Sequence, residues 1–407
     1  MTGTTVEVYP EADTATGERL AEPPRDKANR VSPWDPVGAL EMASDLRKRS
    51  QGRRADRYQL RAVQWRWSDL PRVRQCGRVS HTKGAGVGLR LSDGVAGFAG
   101  LVSCGSVWAD PVCSSKVLAR RGVEIGAMLA SAVAQGFVLG FGTFTMRHRR
   151  GEALEALWGA GRSGWRRSIS GKAWMSAQER CGVVGWVRVW EVTDGRNGWH
   201  VHVHWVVVLD PGSSLSTLDD AASGMLRRWS AGLAKHGREA MRIGQEWHLV
   251  VGDQAGEELA RYVSKLGAEG LGLELTHVQP GRGRGALKTL PVWAHLANFA
   301  EDGDFGHLAR WHEWEKGSKG ARQVGYSKGF RARFGLEQER TDEEIAAEEL
   351  GTEGDSILWI RPQGWAVMVV KHWRMAELLA AAENGGLPAC RQLLDRWGDV
   401  EYVVSAR

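Results

Sequence analysis

Apolar and polar residues alternate strictly in Trp199-His200-Val201-His202-Val203-His204-Trp205, and Val206-Val207-Val208-Leu209 continues the run as unbroken hydrophobics. A period of two is that of an extended strand, whose alternate side chains share a face. His200, His202 and His204 therefore line one face, and the intervening valines turn to the other. Val183 to Val192 is rich in valine and tryptophan and reads as a second strand. Thr193-Asp194-Gly195-Arg196-Asn197-Gly198 between them is a cluster of turn formers. The two runs predict a β-hairpin. With Thr193 opposite His200, Glu191 falls opposite His202 on the histidine face. A slip of one residue would turn it away.

Other elements follow on either side. A helix reaches about Ala134 after Lys116-Val117-Leu118-Ala119-Arg120-Arg121, Phe137–Met146 is an apolar strand, and Gly151 to about Trp174 is helical. A helix from Leu215 to Lys235 is capped by Ser213 or Ser214. Arg242–Val251 is a strand, and a helix opens near Ala255. The order β-α-β-β-α-β-α predicts an α+β fold. Its centre is an antiparallel sheet in the split βαβ, ferredoxin-like arrangement, with helices on one face. Pro280–Gly285, alternating glycine and arginine, is a boundary. Beyond it Pro291–Phe330 and Met375–Trp397 are helical, Thr341–Asp355 is an acidic connector, and a strand lies near Ala366–Val370. Four regions result: a tail (1–55), a basic cysteine-containing segment (56–120), the sheet domain (121–279) and a mainly helical C-terminal region (286–407).

Composition narrows the classes. Among 407 residues, 54 Lys and Arg stand against 48 Asp and Glu, a net charge of +6 that permits nucleic acid as a partner without demanding it. Arginines crowd Arg47–Arg74, as the flank of a DNA site or as a solvated surface. Five irregularly spaced cysteines indicate a reduced, cytoplasmic protein. No apolar run suits a membrane span, and Met1–Leu20 has no signal-peptide core. Most of the twenty tryptophans are expected in the core, with a few stacking on bases. No Gly-x-x-x-x-Gly-Lys-Ser/Thr motif occurs, so no helicase or ATPase engine is expected.

Three constellations carry candidate chemistry. His202 and His204 with Glu191, and His200 in reserve, make a three-ligand site with open positions for Mg²⁺, Mn²⁺ or Zn²⁺; the plain alternative is a half-buried strand that happens to carry histidine. Glu258 and Tyr262 are spaced i, i+4, and Lys265 follows three residues on, so the three share a helix face. A phenol becomes a useful nucleophile when a metal polarises its target phosphate or a cation steadies the charge. Alone, this spacing is that of an ordinary amphipathic helix. Cys76, Cys104 and Cys113 either close a structural zinc site with Asp110 or His81, or remain free thiols. Cys181 and Cys390 are isolated and read as core fillers.

Taken as a set, several stretches resemble the rolling-circle plasmid replication initiators of the HUH endonuclease superfamily, most of all those of actinobacterial plasmids. They are Phe141–Thr145, an apolar strand ending in threonines; Asn197–His204, a His-hydrophobic-His motif; and Glu258–Lys265, a nucleophile helix. Cys104–Trp108 with Pro111–Cys113, Trp311–Trp314 and Lys319–Gly329 extend the likeness, which runs from about Gln75 to Gly335. Asp110 departs from it where a further cysteine is expected, and Val201 where a proline usually separates the first two histidines. The resemblance implies an HUH nuclease domain that nicks plasmid origin DNA, in single-stranded or hairpin form, with Mg²⁺ or Mn²⁺. Tyr262 would form a 5′-phosphotyrosine and free a 3′-OH for a host polymerase, alongside a host helicase. Lys265 would position the phosphate. No second tyrosine stands one turn away, which points to a single-tyrosine enzyme in which Glu258 activates water to end the cycle. Alternatives are an HUH transposase or relaxase-like strand transferase, a non-enzymatic metal-binding DNA-binding or copy-control protein, and a metal-stabilised interaction module.

Overall fold

The computed structural model describes residues 52, 54–250, 292–336, 338–369 and 373–405. Glu258, Tyr262, Lys265, the tail to residue 51 and the Pro280–Gly285 boundary lie outside them. In chain order the elements are α1 (54–67), α2 (Pro71–Gln75), β1 (Val87–Ser92), β2 (Val95–Ala99), α3 (Pro111–Ala134), β3 (Val138–Thr145), α4 (Leu154–Ser168), α5 (Lys172–Arg180), β4 (Val183–Gly195), β5 (Gly198–Leu209), α6 (Leu215–Ala234) and β6 (Glu246–Val250). After residue 291 come α7 (Val292–Asp302), α8 (Phe305–Ser318), β7 (Val324–Tyr326), α9 (Phe330–Arg333), α10 (Asp342–Ala347), β8 (Ser356–Ile360), α11 (Pro362–Val367), α12 (Met375–Trp397) and β9 (Tyr402–Val404).

The first sheet has the order β6-β3-β5-β4-β7, with every neighbouring pair antiparallel. β3 lies between β5 and β6 and the β4–β5 hairpin closes the other side, which is the split βαβ arrangement within an α+β fold. One face carries Phe144, Trp186, Trp190, Val203, Trp205 and Val207, packed under Leu157 and Trp165 of α4 and Leu218, Met225 and Trp229 of α6. These two helices approach backbone to backbone where Gly232 meets Gly164. The opposite face is also covered, in contrast to the expectation of helices on one side. Ile125, Met128 and Leu129 of α3, with Phe330 and Phe334, bury Leu139, Val187, Val189, Val206 and Val208. This cover ends short of the β4–β5 turn, and the histidines lie in the stretch beyond it.

Local signals explain the boundaries. α3 starts at Pro111 rather than near Lys116, because Asp110 accepts the Val112 and Cys113 amides as an N-cap and proline suits the first helical position. Ser214 caps α6 in a capping box with Thr217. The helix expected from Gly151 to Trp174 is two helices, broken between Ser168 and Lys172.

A second sheet, β2-β1-β8-β9, joins the hairpin near residue 90 to strands from the C-terminal part of the chain. Its core holds Val87, Leu89, Leu358, Ile360, Trp365, Leu378 and Leu394, with Ala62 and Trp65 from α1. The strand expected near Ala366–Val370 is a correction. Pro362 opens helix α11 there, and the strand lies earlier, at Ser356–Ile360, where the backbone pairs with β1 and β9. Among the described residues, no helix is long and apolar enough to cross a membrane.

Candidate active site

The hairpin turn sets the geometry of the histidine face. In the β4–β5 pairing Thr193 stands opposite His200, Glu191 opposite His202 and Val189 opposite His204. On the other flank of β5, β3 places Thr143 opposite His204 and Thr145 opposite His202. Glu191, His202, His204 and Thr143 thus meet from three adjacent strands.

His202 Nε2 and His204 Nε2 lie 2.9 and 2.8 Å from the same atom, Glu191 Oε2. One donor atom from each of the three residues falls within 4.8 Å of the other two. The histidine side chains are nearly buried, at 10 and 9% exposure, whereas that of Glu191 is 32% exposed. The group is therefore walled on the sheet side and open at the carboxylate. His204 Nδ1 is 2.9 Å from the Thr143 hydroxyl, which orients the ring, and Phe141 stacks alongside it at 6.0 Å between centroids. His202 Nδ1 is buried without a hydrogen-bond partner among the described residues.

Electrostatics follow from these contacts. Burial opposes ionisation of Glu191, but hydrogen bonds from His202 and His204 outweigh it and hold the carboxyl well below its usual range. Burial pushes His204 down, against the pull of Glu191. His200 shares the face but stays outside the three-donor set. It stacks on His148 at 4.9 Å and lies tilted against His202 at 4.7 Å between centroids. Burial, then the neighbouring His202 and His148, pushes it down to about 3.

Two imidazoles and one carboxylate, with a hydroxyl behind one ring and an open side, fit a hard or borderline divalent cation. In the free protein the Nε2–H of His204 donates to Glu191 and Thr143 donates to Nδ1. With Nε2 given to a cation, Nδ1–H would donate to Thr143 instead, since a hydroxyl serves either role.

Cys76, Cys104, Cys113 and Asp110 also come together, all buried and with their donor atoms within 4.8 Å of one another. Asp110, rather than His81, is the fourth member. Cys181 and Cys390 are buried and stand apart from this group. Two contributors escaped sequence reasoning. Thr143 belongs to the Phe141–Thr145 stretch that carries the resemblance, but nothing in that stretch names His204 as its partner. Arg61, which donates to both Asp110 oxygens, is one of many arginines in a basic run. A third cluster, Asp69, His312 and Glu315, joins positions over 240 residues apart. Its Glu315 carboxylate already accepts the Ser68 hydroxyl and the Asp69 amide, which reads as a lock between α1 and α8.

No family model matches the chain, and no solved structure matches it. Over a shorter stretch it is similar to a protein named Neomycin resistance protein from Streptomyces cyanogenus, 36% identical over 145 residues, 30% of this chain and 33% of that protein. It is also similar to a protein named Protein rep from Streptomyces lividans, 24% identical over 329 residues, 65% of this chain and 72% of that protein.

Proposed function

We propose that the chain is a plasmid replication initiator of the HUH endonuclease type, which nicks one strand of a plasmid origin through Tyr262. The observation that carries this reading is the convergence of His202 Nε2 and His204 Nε2 on Glu191 Oε2, at the open end of a split βαβ sheet. The similarity to Protein rep supports it.

A divalent cation, Mg²⁺ or Mn²⁺, held by His202, His204 and Glu191 would polarise the scissile phosphate. The residues supply the rest. Thr143 fixes the His204 ring, and the sheet holds both imidazoles rigid, so little reorganisation accompanies substrate binding. The Tyr262 oxygen attacks phosphorus and gives up its phenol proton to solvent, the P–O3′ bond breaks, and the departing 3′ oxygen takes up a proton in turn. The products are a 5′-phosphotyrosine and a 3′-OH, which host helicase and polymerase would use for leading-strand synthesis. Lys265 steadies the phosphate. Glu258 serves as general base for the water that ends the cycle.

The test uses the full chain and single-stranded fragments tiled across the origin of the plasmid that carries its gene, with and without Mn²⁺. A covalent protein–DNA adduct that needs Mn²⁺ and disappears in Tyr262→Phe is the expected result, with DNA binding kept. On a supercoiled plasmid carrying the origin, with host helicase and polymerase supplied, Glu258→Gln is expected to nick at a near-normal rate and to stall before releasing single-stranded circles. DNA binding without any adduct would overturn the enzyme reading in favour of a DNA-binding or copy-control protein.

A further inference from the structure

We propose that Cys76, Cys104, Cys113 and Asp110 hold one structural Zn²⁺, with Arg61 as the outer partner that fixes Asp110. This site lies apart from the histidine face and stands whether or not the chain is a nuclease.

The sulfurs are placed as a tetrahedral ion requires. Cys113 Sγ is 3.4 Å from Cys76 Sγ and 3.8 Å from Cys104 Sγ. Zn–S bonds of about 2.3 Å span a tetrahedron whose edges are about 3.8 Å. A disulfide would bring two of them to about 2.05 Å. Backbone amides also point at the sulfurs, from Cys104 to Cys76 Sγ at 3.2 Å and from Ser106 to Cys104 Sγ at 3.4 Å. The Ser103 hydroxyl lies 3.4 Å from Cys113 Sγ. Donors aimed at sulfur favour thiolate over thiol. The turn that brings the Ser106 amide over Cys104 passes through Gly105 at φ +62°, a left-handed conformation that suits glycine.

Asp110 differs from a plain N-cap. Its Oδ1 accepts the Val112 and Cys113 amides and one Arg61 nitrogen, while Oδ2 accepts Arg61 Nε at 3.1 Å. The guanidinium grips the carboxylate along one edge. It lies so close to the backbone after Cys76 that any Cβ at Gly77 would collide with it. Three thiolates and a carboxylate in one buried cluster repel each other strongly. A dication inside the cluster and a guanidinium beside it offset most of that charge. Four protein donors fill the sphere and solvent is excluded, as in structural rather than catalytic zinc sites. The ion would tie α1, through Arg61, to the chain after α2 and to the start of α3.

The experiment measures metal in the reduced full-length chain and replaces zinc with Co²⁺. One zinc per chain is expected, lost in Cys113→Ser and kept in Cys181→Ser, a buried cysteine outside the cluster. Co²⁺ should give a thiolate-to-metal charge-transfer band and strong tetrahedral d–d absorption. Neither the imidazoles nor the carboxylate of the histidine face produces that sulfur band, so zinc bound there is not mistaken for this site. Asp110→Cys should raise the charge-transfer intensity by about a third, in proportion to sulfur count. The wild-type cobalt spectrum carries the test by itself if Cys113→Ser does not fold. No sulfur band in the reduced wild type, an undiminished cobalt–sulfur band in a folded Cys113→Ser, or a Cys76–Cys113 disulfide in protein purified under reducing conditions would each overturn the proposal.

Discussion

At Thr143 a single hydroxyl meets Nδ1 of His204 while Nε2 of the same ring faces Glu191. Outer partners of this kind set ligand orientation and basicity, and their loss typically costs about 10–100-fold in metal affinity. Thr143→Val keeps the shape of the side chain and deletes the hydroxyl. It is expected to weaken Mn²⁺ binding by about that factor in isothermal titration, whereas Thr143→Ser stays near wild type. Equal Mn²⁺ affinity in Thr143→Val would mean that the Phe141 stack alone aligns the ring. His202→Ala and His204→Ala remove a donor outright and are expected to abolish metal-dependent cleavage while the sheet persists. The meeting of Glu191, His202 and His204 on one face was legible in the sequence because a period of two and a tight turn fix faces and register together, and Glu191 does pair with His202. The role of Thr143 was not, because its partner lies 61 residues away on a strand whose pairing no local pattern announces.

Among the described elements, α3 covers the second face of the sheet together with Phe330 and Phe334, and Glu124 is where it is fastened. Its carboxylate accepts Arg331 at 2.9 Å and Arg121 at 3.2 Å, and Arg121 also reaches Asp342 at 3.0 Å. Burial works against the charged form, but the hydrogen bond and charge of Arg331, with Arg121, hold the Glu124 carboxyl below its ordinary 4.5. A carboxyl lowered on folding stabilises fully above about pH 4.5, and this contribution fades as pH falls through the lowered folded value. Glu124→Gln should cost on the order of 2–3 kcal/mol at pH 7, less than a fully buried pair because Arg120 on one side is half exposed. The gap in melting temperature between wild type and variant should narrow as pH falls below about 4.5 and close once it passes the lowered folded value. A gap that persists there would mean that packing, not charge, fastens α3. Helix existence was legible from hydrophobic pattern, while helix ends were decided by single residues: Asp110 started α3 early and Pro362 turned an expected strand into α11. β3 shows why glycine recurs in an apolar strand. A Cβ at Gly142 would run into the Trp205 ring on β5, so the aromatic core itself demands the gap.

For the whole molecule, the four strands β3 to β6 of the split βαβ sheet could be read from element order, since they follow one another within about 110 residues, whereas the edge strand β7 falls in the Pro291–Phe330 stretch expected to be helical. The second sheet could not. β1 near residue 90 pairs with β8 near residue 358, and pairings so distant leave no periodic trace in either segment. Its core is separate from that of the first sheet, and α1 bridges the two, with Leu60 in one and Ala62 and Trp65 in the other. Separate cores should open separately. Leu358 is the natural probe, because it is fully buried and pairs with Leu89 on one side and Val404 on the other. Leu358→Ala should cost about 2–5 kcal/mol through lost contacts and the cavity left behind. Near 3 kcal/mol, hydrogen exchange at the ladder amides of β1, β2, β8 and β9 should quicken by about 100-fold, a factor of ten for each 1.4 kcal/mol. The amides of β3, β4 and β5 should keep wild-type protection, and Mn²⁺ affinity at His202 and His204 should not move. Equal acceleration in β3 and β5 would show that the two sheets unfold as one cooperative unit, with α1 transmitting the loss rather than isolating it.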